Sequence, residues 1–171
     1  MPEPAAPDAT VPLVVGIGNE HRRDDGCGLA VARALRSRLG SRAEVVELSG
    51  DPTALLDLWA DRDLAVAVDA TRSTGPPGGI VRAGPSEIAT LPPAATDSTH
   101  GLSLVEIARL GESLGRMPRH LVVYGIEADD LGRGIGFTAA VAAAVPVVVQ
   151  RIEREIAEWE RTAGGRGNAD A

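Results

Sequence analysis

The sequence predicts an α/β fold: a single three-layer domain in which a twisted, mostly parallel sheet of about five strands carries helices on both faces. Three observations lead there. Apolar runs ending in glycine or a polar residue alternate with stretches of helical periodicity. The runs are apolar throughout rather than at every second position, as strands covered on both faces must be. The composition is 44% hydrophobic but only 2% aromatic, so the core is built from Val, Leu, Ile and Ala.

LVVGI at 13–17 is the first strand, and 25–39 carries Leu29, Ala32, Ala34, Leu35 and Leu39 at near-helical spacing, closed by Gly40. AEVVEL at 43–48 is the second strand. Asp51 and Pro52 then open a helix that runs through Trp59, an acidic cap followed by proline in the first turn. LAVAVDA at 64–70 is apolar until Asp69. After the turn-rich TRSTGPPGG, IVRAG is a short strand candidate despite the neighbouring prolines, and PSEIATL is one helical turn. Residues 101–114 read as an amphipathic helix and HLVVYGI at 120–126 as a buried strand. The last helix sets Val141, Val145, Val148, Ile152, Ile156 and Trp159 on one stripe, with Pro146 expected to kink it or mark a restart. The ordered domain is expected over 11–161. Residues 1–10, rich in Pro and Ala, and 163–171 are expected to be flexible tails.

Composition excludes several function classes. The net charge is −7, with 17 Lys+Arg against 24 Asp+Glu, and the arginines are scattered rather than clustered. A nucleic-acid partner is therefore not expected. No apolar stretch reaches the ~20 residues of a membrane span. The start, MPEPAAPDATVP, has neither a basic region nor an apolar one of the kind a secretory signal needs, and Cys27 is a lone cysteine. The expectation is a cytoplasmic protein with no membrane partner.

In an open parallel sheet, ligands bind at the carboxyl ends of the strands. That rim collects Asn19, Asp24 and Asp25 after the first strand, Asp69 at the end of the third, His100 before a helix, and Glu127, Asp129 and Asp130 after the last strand. A dinucleotide loop does not fit. GIGNEH lacks the third glycine of GxGxxG, and two carboxylates stand where phosphates would lie. No Walker pattern or GxSxG elbow occurs. One of the paired aspartates can cap the following helix, which leaves the other to face the rim. Asp69 follows apolar residues, so its carboxylate needs a partner, for which turn N–H groups are one candidate. Asp25, Asp69 and His100 together would instead form a carboxylate, carboxylate, imidazole set suited to a borderline divalent metal. Cys27, at a helix start among small residues, reads as a buried structural thiol.

These same residues carry a family resemblance. GIGNEHRRDDGCG resembles the GxGNxxxxDDGxG signature of the nickel–iron hydrogenase maturation endopeptidases, and VDA at 68–70 and STHGLSL at 98–104 resemble that family's second and third motifs in the same order. The resemblance implies a cytoplasmic protease that removes the carboxy-terminal extension of the hydrogenase large subunit precursor after nickel insertion. It implies metal contacts from Asp25, Asp69 and His100, catalysis by Asp25 and Asp69, and loop support or substrate binding by Gly18, Asn19 and Asp24. The metal is then nickel carried by the substrate, with no permanently bound ion expected. Either the nickel activates a water with an aspartate as base, or the carboxylates act on water while nickel only anchors the substrate. The alternative is a non-catalytic, chaperone-like module that binds the nickel-loaded large subunit without cutting it. The chain departs from the family in GIEADDLGRG, where a proline often follows the last strand, which places the difference in an acidic rim loop.

Overall fold

The computed structural model describes residues 8–73, 75–90 and 103–166. Strand β1 (Leu13–Ile17) leads through a turn of 3-10 helix at Arg23–Gly26 into α1 (Cys27–Leu39), then β2 (Glu44–Leu48). A 3-10 turn at Pro52–Ala54 opens α2 (Leu55–Trp59), and β3 (Leu64–Thr71) follows. Next come β4 (Ile80–Ala83), α3 (Pro85–Thr90), α4 (Leu104–Leu114), β5 (His120–Glu127) and α5 (Ala139–Arg166).

The sheet order is β2-β1-β3-β5-β4. The first four strands run parallel, and β4 lies antiparallel to β5 at the edge, Ile80 opposite Ile126 and Ala83 opposite Val123. The prolines of the 72–79 turn precede β4 and leave its ladder intact, so IVRA pairs despite them.

Residues alternate between the two faces, as strand geometry requires. Val14, Val66, Val68, Val122, Tyr124 and Ile126 pack with α1 and α5, whose Leu35, Leu39, Val141, Val148, Ile152 and Ile156 are buried. Leu13, Val15, Ile17, Ala65, Ala67 and Leu121 pack on the other face with Leu55, Leu56 and Trp59 of α2, Ile88 of α3 and Ile107 of α4. Each Val, Leu or Ile among them is worth about 1.5–3 kcal/mol when fully buried. Trp59 also donates its indole N–H to the Arg116 carbonyl at 2.9 Å.

Local caps set the ends. Asp51 accepts from the Thr53 N–H at 2.9 Å. Ser103 and Glu106 form a reciprocal capping box at the start of α4, and Gly115 closes it in the left-handed conformation at φ 65°. Pro146 lies inside α5 without interrupting it; the residue is exposed, so the lost backbone bond faces water. The helix continues to Arg166. Residues 8–11 are tied down, since the Arg62 guanidinium donates to the Asp8 and Val11 carbonyls and the Asp63 N–H to the Ala9 carbonyl.

Candidate active site

The loop between β1 and α1 is folded tightly against the carboxyl ends of two strands. A Cβ on Gly28 would lie 2.2 Å from the Ile17 carbonyl oxygen and 2.5 Å from that of Val68, so only glycine lets α1 begin directly on β1 and β3. Gly18, at φ 150°, would place a Cβ 1.9 Å from the Asp25 carbonyl oxygen. Asn19 braces the turn from within: its side-chain oxygen accepts from the His21 N–H at 3.0 Å, its N–H donates to the Asp25 carbonyl at 3.3 Å, and its carbonyl accepts from the Arg22 N–H at 3.1 Å. The glycines that resemble a phosphate loop therefore serve close packing.

The paired aspartates do different things. Asp24 is fully buried and caps no helix; it holds the loop that follows β5. Its carboxylate accepts from the N–H groups of Asp129 (3.0 Å), Asp130 (2.9 Å) and Thr138 (2.7 Å), and from the Thr138 hydroxyl. Burial alone would raise this carboxyl, but the backbone donors of Asp130, Thr138 and Asp129 outweigh it and hold it below the ordinary carboxylate value. Asp25, partly buried, stands one residue further along, where α1 meets the sheet.

Asp69 lies near the carboxyl end of β3, opposite Gly125 of β5, and accepts the Ala70 N–H at 2.8 Å. Its carboxyl is pushed well above the usual range, first by burial and then by the charge of Asp25. The two carboxylates thus converge from the first and third strands. Cys27 is buried beside them; burial, then Asp69, Asp25 and Asp24, push its thiol up, which makes it an inert core group rather than a nucleophile.

His100 lies outside the described residues, as does most of the STHGLSL motif. Among the described residues no three His, Cys, Asp or Glu side chains gather in a metal-binding group. Asp25 and Asp69 offer two oxygen donors, and a divalent cation between them would offset the mutual repulsion that now raises Asp69.

The sequence places Glu127 and the acidic segment after it on the rim, but not their partners. Glu127, 3% exposed, accepts from the Ser73 N–H at 3.0 Å and from the Ser73 hydroxyl, pinning the turn between β3 and β4. The acidic segment after β5 is bound to the first loop: the Arg23 N–H donates to the Gly134 carbonyl and the Gly134 N–H to the His21 carbonyl, both at 2.9 Å, while the Arg22 guanidinium reaches the Leu131 carbonyl. Asp130 pairs with Arg23 at 3.3 Å. These partners are more than 100 residues apart, so no local pattern could announce them. An open cleft of ≈ 340 Å³ lies on the β2 side of the loop, lined in part by Asn19, His21, Arg33, Glu47 and Ser49.

Comparison with known proteins gives a consistent result. The family model described as hydrogenase maturation protease (HycI) matches residues 29–155. The chain is 30% identical over 125 residues to the hydrogenase expression/formation protein HupD of Thiocapsa roseopersicina, an alignment covering 70% of this chain and 57% of that protein. The chain thus spans less than two thirds of that relative. It is 27% identical over 145 residues to the hydrogenase 2 maturation protease of Escherichia coli K12, covering 82% and 87% of the two chains. Among solved structures it resembles the E. coli hydrogenase maturating endopeptidase HybD, with TM-score 0.73, 23% identity, and coverage of 86% and 92%. It also resembles the [NiFe] hydrogenase maturation protease HycI of Thermococcus kodakarensis KOD1, with TM-score 0.68, 26% identity and the same coverage.

Proposed function

Because the chain belongs to the hydrogenase maturation protease family, we propose that it is the endopeptidase that removes the carboxy-terminal extension of a nickel–iron hydrogenase large subunit precursor after nickel insertion. The observation that carries this reading is the convergence of Asp25 and Asp69 at the ends of adjacent strands, with Asp69 raised by burial and by its neighbour. Two carboxyls so placed are suited to peptide hydrolysis. The raised Asp69 carboxyl holds a proton that it supplies to the leaving amine, while Asp25 accepts one from the attacking water.

Nickel enters this scheme as part of the substrate. Imidazole and carboxylate donors suit open positions on an ion already held by the precursor, and a site built to read a cargo ion gains nothing from a tightly held ion of its own. His100, three residues before the Ser103 cap of α4, is the proposed third contact. We place the reaction in the cytoplasm, where the metal-loaded precursor is handled. Among the described residues no helix is long and apolar enough to cross a membrane.

The test is direct. Wild-type protein incubated with nickel-loaded, unprocessed large subunit from the same organism should shorten it, as read by intact mass, and should leave nickel-free precursor untouched. An extension that stays on the loaded precursor would sink the reading and favour binding without cleavage.

A further inference from the structure

We propose that Ile135 and Phe137 form a docking point for the protein substrate, held in fixed register with Asp25 by the buried carboxylate of Asp24. This rests on the endopeptidase reading and adds the surface that selects the precursor.

Ile135 is 81% exposed and Phe137, the only phenylalanine in the chain, 38% exposed. They are separated by one residue on a segment that is anything but loose. Asp24 grips its two ends through the N–H groups of Asp129, Asp130 and Thr138, and its middle is bridged to the first loop at Arg22 and Gly134. Gly134 (φ 141°) and Gly136 (φ 97°) flank Ile135, backbone conformations that turn the chain around that side chain. A well-fastened loop that holds two large apolar side chains toward water marks a contact surface.

The occupant follows from where the loop is fastened. Gly134 is bonded to both His21 and Arg23, and Asp25 lies two residues beyond Arg23. With Cα atoms ~3.8 Å apart along the chain, Ile135 stands within about 16 Å of Asp25, the reach of roughly five extended residues. A polypeptide engaged at Asp25 and Asp69 passes this surface within a few residues of the bond to be cut. The segment itself carries Asp129 and Asp130, the latter paired with Arg23, and arginines meet it at several backbone carbonyls. Arg22, Arg23 and Arg72 donate to the carbonyls of Leu131, Arg133 and Asp129, and the Arg133 side chain is exposed beside Ile135. The matching substrate segment carries an apolar side chain with an acidic neighbour, close to the cleavage position.

The experiment compares wild type with Ile135→Ser and with Ile135→Ser/Phe137→Ser on the nickel-loaded precursor, measuring kcat and KM separately alongside thermal unfolding. KM should rise about tenfold in the double variant, with kcat within twofold and the melting temperature unchanged. Ile135→Ser alone, at a position so exposed that folding is indifferent to it, should raise KM severalfold. An unchanged KM in both variants would overturn the proposal, as would a loss confined to kcat. If wild type does not cut the precursor, the proteolytic reading fails by itself. The docking point is then judged by binding of the same precursor: weaker for the double variant supports it, equal to wild type overturns it.

Discussion

The Asp69 carboxyl is held well above the ordinary carboxylate range by burial and by the charge of Asp25. That arrangement is unfavourable to the fold and, on the proposed function, useful to the reaction, so the two effects of removing it should have opposite signs. Asp69→Asn keeps an oxygen for the Ala70 N–H while abolishing the repulsion. Processing of the precursor should fall at least ~100-fold, and stability in denaturant should rise by about 1 kcal/mol. A variant that is both active and less stable would show that Asp69 serves only as a structural acceptor.

Asp24→Ala leaves the N–H groups of Asp129, Asp130 and Thr138 without their buried acceptor. The expected cost is roughly 3 kcal/mol. Amide hydrogen exchange gives the sharper measurement: those three amides should lose protection while the strands keep theirs. If protection persists, the loop has another fastening.

Gly28→Ala forces a methyl against the Ile17 and Val68 carbonyls. The helix must lift from the sheet, at about 2–3 kcal/mol, and Asp25 shifts with it. Activity should fall further than stability explains, which unfolding and processing assays on the same sample can compare.

Tyr124 provides the pH prediction. Burial first, then its hydrogen bond to Glu155 at 2.9 Å and that residue's charge, push the phenol up to about 12 from an ordinary value of 10. The folded state therefore favours the protonated phenol. This stabilisation is complete below about pH 10 and is lost as the pH rises through about 12. Tyr124 is the only tyrosine, so phenolate absorbance reports it alone. Glu155→Gln should move the titration toward the ordinary value; no movement would leave burial as the whole cause.

The sheet and its helices were legible because they depend on local periodicity: each strand run and the stripe of α5 could be read without knowing their neighbours. The five-strand order and the reversed β4 were not, since pairing is decided by long-range packing. At the rim, the rule of strand ends singled out Asp24, Asp25, Asp69 and Glu127 from the sequence. Their different work was hidden. Adjacent aspartates look alike until Thr138, 114 residues away, is seen to bind one of them. At Pro146 the helix does not restart, because the residues before it and after it pack on the same core.

The Asp24 clasp also bears on the thermodynamics of encounter. A loop that orders only when it meets its partner loses conformational entropy at that moment, and affinity suffers accordingly. Here the carboxylate freezes the 129–138 segment during folding, as the chain collapses around a fully buried charge. On the proposed docking role, recognition proceeds from a preorganised surface, with a small entropic penalty and little dependence of the on-rate on conformational search. On the proposed function, which acts once on each precursor molecule, such a surface lets the complex form quickly and come apart as soon as the released peptide leaves.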